Sequence, residues 1–62
     1  MKNNIRVERA IRRISQQELA DAIGVTRQTI YAIENDMFIP STELALKMSA
    51  YFGKTVNELF SL

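Results

Sequence analysis

The sequence predicts an all-α fold of five short helices, and three observations carry that prediction. Apolar residues recur at spacings of three and four rather than two. Hydroxyl residues suited to helix starts, and glycines or a proline suited to helix ends, punctuate the chain. No segment alternates apolar and polar residues for long enough to read as a strand.

The first helix is expected from about Asn4 to Arg12, with Val7, Ala10, Ile11 and Ile14 at helical spacing and Ile5 one turn before Arg9. Ser15 then reads as an N-cap, and Glu18 completes a Ser-x-x-Glu capping box. A second helix therefore starts at Gln16, turns Leu19, Ala20 and Ile23 to the core, and ends at Gly24, the residue that leaves a helix most easily through the left-handed region. Thr26 caps a third helix, Arg27 to about Asn35, that buries Ile30 and Ile33. Asp36 to Pro40 is a connection, because the residue before a proline is pushed out of the helical region. Ser41 caps a fourth helix, Thr42 to Phe52, with Leu44, Ala45, Met48 and Phe52 inward, and Gly53 ends it. Thr55 and Glu58 form another capping box and open a final helix, Val56 to Phe60.

A chain of 62 residues reads as one domain spanning residues 1–62, with a thin core worth on the order of 3–5 kcal/mol. Without cysteine or histidine it has no disulfides and no ordinary zinc-ligand set, so helix signals and a second copy of the chain are the candidates for added stability. No stretch approaches the roughly 20 apolar residues of a membrane span. Met1 to Asn4 lacks the apolar run of a secretory signal, so a cytoplasmic location is expected. No nucleophile–base pair is evident, which argues against an enzyme, and no cofactor or small-molecule ligand is expected. The net charge is only +1, but residues 1–30 hold six basic groups against three acids, whereas residues 31–62 hold two against four. Such a basic end is compatible with a polyanion footprint, and equally with an ordinary mixed surface.

The informative stretch runs from Gln16 to Asn35. Two helices this short, joined by so tight a turn, must cross steeply, as in a helix-turn-helix. The crossing needs a small residue where the helices touch (Ala20), a residue tolerant of positive φ in the turn (Gly24), and apolar residues beneath the second helix (Val25, Ile30, Ile33).

Ser15-Gln16-Gln17-Glu18-Leu19-Ala20, Gly24-Val25-Thr26-Arg27-Gln28-Thr29-Ile30, Ile33-Glu34-Asn35 and Pro40-Ser41 resemble the Cro/CI-type (Xre) helix-turn-helix transcriptional regulators. The likeness continues through Glu43 to Lys47 and Phe52-Gly53 to Glu58-Leu59-Phe60. It implies a five-helix, phage-repressor-like DNA-binding domain acting as a homodimer on a palindromic operator, with repression by operator occupancy.

The residues of the third helix point the same way independently. Thr26, Arg27, Gln28 and Thr29 cluster at its N-terminal end, the end that a recognition helix directs at base edges. Arg27 can donate two hydrogen bonds to guanine and Gln28 can pair bidentately with adenine, each contributing about 1–3 kcal/mol of discrimination. Thr26 joins them as a candidate, and Ala32 could at most touch a thymine methyl. Gln16 is placed to meet a backbone phosphate. The resemblance implies the same role for Gln16 and Asn35, and Thr29 and Tyr31 are further backbone candidates. It also implies that Arg9 and Glu34 pair between the first and third helices. Arg6, Arg12 and Arg13 read as solvated charges, with a place near the DNA backbone as the alternative.

Three departures from the family pattern stand out. Glu8 replaces an apolar residue and thins the inner face of the first helix, and Arg13 stands where glycine is common. Asp36-Met37-Phe38-Ile39 replaces a loop that usually begins with glycine and carries a basic residue. Met37, Phe38 and Ile39, with Phe60 and Leu62, are therefore candidates for a dimer interface, unless they fold back into the core. The acidic, apolar loop also keeps open an alternative, a protein-interaction or antitoxin-like module with weak or no DNA binding.

Overall fold

Hydroxyl groups set four of the helix starts. Ser15, Thr26, Ser41 and Thr55 each accept the amide of the residue three positions on, at 3.0–3.3 Å. In a computed structural model describing residues 1–62, these caps open α2 (Gln16–Ile23), α3 (Arg27–Glu34), α4 (Thr42–Phe52) and α5 (Val56–Leu59). Glu18 and Glu58 close two of them into capping boxes by accepting the amides of Ser15 and Thr55. The first helix, α1 (Ile5–Arg12), has no side-chain cap at Asn4. Asn3 serves it instead by accepting the Ile5 amide through Oδ1 at 3.1 Å. Gly24 and Gly53 end α2 and α4 in the left-handed region. Arg13 does the same for α1 at φ 56°, and Asp36 follows α3 at φ 59°.

Eleven buried apolar residues form a single core, with Leu19, Ala20 and Ile23 of α2 facing Ile30 and Ile33 of α3. Leu44, Met48 and Phe52 of α4, Leu59 of α5, Ile5 of α1 and Phe60 complete it, with Ile14, Val25, Ala45 and Val56 packed at its edge. No helix is long and apolar enough to cross a membrane.

Two expectations need correction. The chain does contain strands: β1 (Lys2–Asn3) pairs antiparallel with β2 (Phe60–Ser61), Lys2 opposite Ser61 and Asn3 opposite Phe60. Two residues are too few to alternate, and the partners sit at opposite ends of the sequence. The pairing draws Phe60 out of α5 into extended backbone at φ −125°.

The second correction concerns α1, whose apolar positions do not form its inner face. Val7, Ala10 and Ile11 are exposed, Ile14 is half-buried, and only Ile5 is enclosed. The inward side carries Glu8, Arg9 and Arg12, each with polar partners. Arg12 is therefore not a solvated charge. It donates to Glu8 Oε1 at 2.6 Å and to the Phe52 carbonyl, and its guanidinium lies 4.9 Å from the Phe52 ring centroid. It thus caps the last turn of α4 while covering an aromatic face.

Candidate nucleic-acid interface

The turn between α2 and α3 is built from two backbone bonds. The amides of Gly24 and Val25 both donate to the Ala20 carbonyl, at 2.9 and 3.0 Å. Gly24 reaches φ 79° there, a conformation that side chains resist, and fully buried Ala20 lets the helices approach. This fixes the N-terminal end of α3 against the C-terminal end of α2.

Glu34 holds the arrangement from within. Its carboxylate is fully enclosed and is met from two other helices, α1 and α2. Arg9 of α1 donates through Nε to Oε2 at 2.8 Å and through Nη2 to Oε1 at 3.2 Å. The Gln16 amide of α2 donates to Oε1 at 3.1 Å. Arg6 lies 3.6 Å from the same oxygen and donates to Asn35 Oδ1 at 3.3 Å. Arg9 also donates to the Ile14 carbonyl, which ties the end of α1 to the set. No buried side-chain nitrogen or oxygen lacks a partner.

Burial alone would raise the Glu34 pKa. The hydrogen bonds from Arg9 and Gln16, with the charges of Arg9 and Arg6, outweigh it and hold the carboxyl below its ordinary value. The same hydrogen bond to Glu34 raises Arg9 despite its desolvation.

The network reaches the surface through Gln16. Its side-chain oxygen, turned outward by the amide's bond to Glu34, accepts from Arg27 Nη1 at 3.4 Å. Arg27 and Gln28 are exposed at the start of α3. Thr26 and Thr29 stand with them, their hydroxyls 3.1 Å apart. Tyr31 is half exposed, Ala32 is half-buried, and Asn35 bonds the Tyr31 carbonyl at 2.8 Å.

A helix-turn-helix family profile matches residues 5–59. The chain belongs to the Cro/CI-type (Xre) helix-turn-helix family. It is similar to an uncharacterized HTH-type transcriptional regulator of Methanocaldococcus jannaschii, at 42% identity over 60 residues covering 97% of this chain and 91% of that protein. It is similar to the uncharacterized HTH-type transcriptional regulator YgzD of Bacillus subtilis, at 42% identity over 62 residues, 100% of this chain and 94% of YgzD. An Archaeoglobus fulgidus protein, also named an uncharacterized HTH-type transcriptional regulator, is 38% identical over 60 residues, 97% of this chain and 86% of its own.

Within the helix-turn-helix, sequence reasoning missed the tie between Gln16 and Glu34 and the place of Arg6. Both depend on side chains 18 or more positions apart meeting across helices, which no local pattern encodes. Glu8, read as thinning α1, is paired with Arg12. Asp36 accepts from the Asn3 amide at 3.3 Å, and the same amide donates to the Ile33 carbonyl at 2.7 Å. Of the candidate interface residues, Met37, Phe38, Ile39 and Leu62 are exposed, whereas Phe60 is buried in the core because β2 turns it inward.

Proposed function

We propose that this chain is a DNA-binding transcriptional regulator that lays α3 in the major groove of duplex DNA. The observation that carries the reading is the Arg27–Gln16–Glu34 chain of hydrogen bonds, which joins an exposed guanidinium at the start of α3 to a buried carboxylate. Recognition needs donors held in a fixed direction before DNA arrives, and this chain supplies that order. Arg27, Gln28 and Thr26 then contact base edges, Ala32 faces a thymine methyl, and Gln16, Asn35, Thr29 and Tyr31 contact phosphates. The names of the relatives, all HTH-type transcriptional regulators, support the same reading.

One copy spans too few base pairs for a unique address. The regulator accordingly acts as a homodimer, with its two α3 helices roughly 34 Å apart on a palindromic operator, and represses by occupying it. Selection of bound duplexes from a random pool tests this. The expected product is a two-fold symmetric sequence with half-sites one helical turn apart. Recovery of no enriched sequence would contradict it.

A further inference from the structure

We propose that Arg6 of α1 belongs to the DNA-binding surface, where it fixes the Asn35 side-chain amide and adds its own charge at the phosphate that Asn35 meets. The inference deepens the DNA reading above and rests on it.

Asn35 is exposed at the end of α3, and both ends of its amide are engaged. Oδ1 accepts from Arg6 Nη2 at 3.3 Å, while Nδ2 donates to the Tyr31 carbonyl at 2.8 Å. Turning the amide over would set its N–H groups against a guanidinium and its oxygen against a carbonyl, so one orientation is selected. In that orientation one of the two Nδ2 hydrogens stays free for an acceptor from outside. Gln16 repeats the arrangement at the start of α2. Its oxygen accepts from Arg27 at 3.4 Å and its nitrogen donates to Glu34 at 3.1 Å. Each of the two amides is thus oriented by one arginine, and α1 supplies the arginine for Asn35.

Arg6 also keeps donors and charge for a ligand. Its side chain is 60% exposed, and of the five N–H donors of a guanidinium Asn35 takes one. Its Nε stands 3.6 Å from Glu34 Oε1, too far for a hydrogen bond, and Arg9 already holds that carboxylate through two. Arg9 and Glu34 offset one another, which leaves the charge of Arg6 in excess. Other cations are placed differently: Arg12 is engaged by Glu8 and the Phe52 carbonyl, and Lys47 pairs with Glu43. A guanidinium with free donors beside an amide with a free hydrogen suits the oxygens of one phosphate, and carries no base preference.

Affinity for a mixed-sequence duplex over a range of salt concentrations tests the proposal. The proteins are wild type, Arg6→Met, Asn35→Ala, the double variant and Lys54→Met, with circular dichroism confirming each fold. Lys54 lies between α4 and α5 and serves as a charge control. Arg6→Met is expected to weaken binding about 10-fold and to lower the salt slope by about 1, whereas Lys54→Met leaves the slope unchanged. The double variant should fall short of the product of the single losses by about 3-fold or more, since both residues serve one phosphate. In the free protein, the Asn35 side-chain amide signals in the NMR spectrum should shift in Arg6→Met. An unchanged slope in Arg6→Met, an equal change in Lys54→Met, losses that simply multiply, or unmoved Asn35 signals would overturn the proposal. A wild type that binds no duplex at low salt would remove the DNA reading itself, and this inference with it.

Discussion

Glu34 carries one negative charge, and three helices depend on where it points. Removing it leaves Arg9 largely buried without a counter-charge, which costs about 3 kcal/mol. In a domain with about 3–5 kcal/mol in total, Glu34→Ala is expected to keep only about 0–2 kcal/mol and to melt at a markedly lower temperature, as thermal denaturation followed by circular dichroism would show. Acid reaches the same group by another route. Because the folded state holds the Glu34 carboxyl below its unfolded value of about 4.3, the stabilisation is complete above that pH. It is lost as pH falls through the lower, folded value. The melting temperature should therefore be flat through the neutral range and drop on the acid side of about pH 4. Arg27→Ala acts differently. The side chain is exposed, so stability should hold, while discrimination at one base pair falls by about 1–3 kcal/mol in competitive binding. Arg13 bears a side chain in the left-handed region at φ 56°. Arg13→Gly relieves that strain and should raise stability by about 1 kcal/mol, a melting increase of about 4–8 °C. Asp36 shares the conformation but keeps a bond from Asn3, so the equivalent glycine gains less.

At the scale of the helix, what the sequence made legible was local chemistry. Ser15 with Glu18 and Thr55 with Glu58 are three residues apart, and the geometry of a first turn dictates their bonds. α2 and α4 start and stop where their caps and glycines place them. Ser15→Ala should cost about 1 kcal/mol in denaturant unfolding, since it strands one amide at the start of the helix that presents Gln16. α1 was misread because spacing reveals that a helix has two faces, and not which face turns inward. Val7 and Ile11 lost the inner position to Arg9, held by Glu34, and to Arg12, held by Glu8 and Phe52. Glu34 and Phe52 lie on other helices, and only the Glu8–Arg12 pair is local. The β1–β2 pair escaped for a similar reason: it joins Lys2 to Ser61, and two residues carry no period. The candidate site divides likewise. Exposure of Arg27 and Gln28 at a helix start could be read from Thr26 and the spacing of Ile30 and Ile33; of the support beneath them, the resemblance implied the Arg9–Glu34 pair, whereas the Gln16–Glu34 bond could not be read.

Over the whole molecule, cations of α1 and α3 cluster on one buried acid. Arg6, Arg9 and Arg27 gather around the ends of α2 and α3, and the one acid among them, Glu34, is enclosed. Met37, Phe38, Ile39 and Leu46 are exposed apolar side chains elsewhere on the surface. DNA affinity is expected to fall steeply as salt rises, through phosphate contacts. The central claim, that the α2–α3 face is the DNA-binding surface, is tested most directly by following backbone amides by NMR during titration with a mixed-sequence duplex at low and then higher salt. Shifts concentrated at Gln16, Thr26 to Tyr31 and Asn35, fading as salt rises, are the predicted result. No shift at those residues at low salt would contradict it.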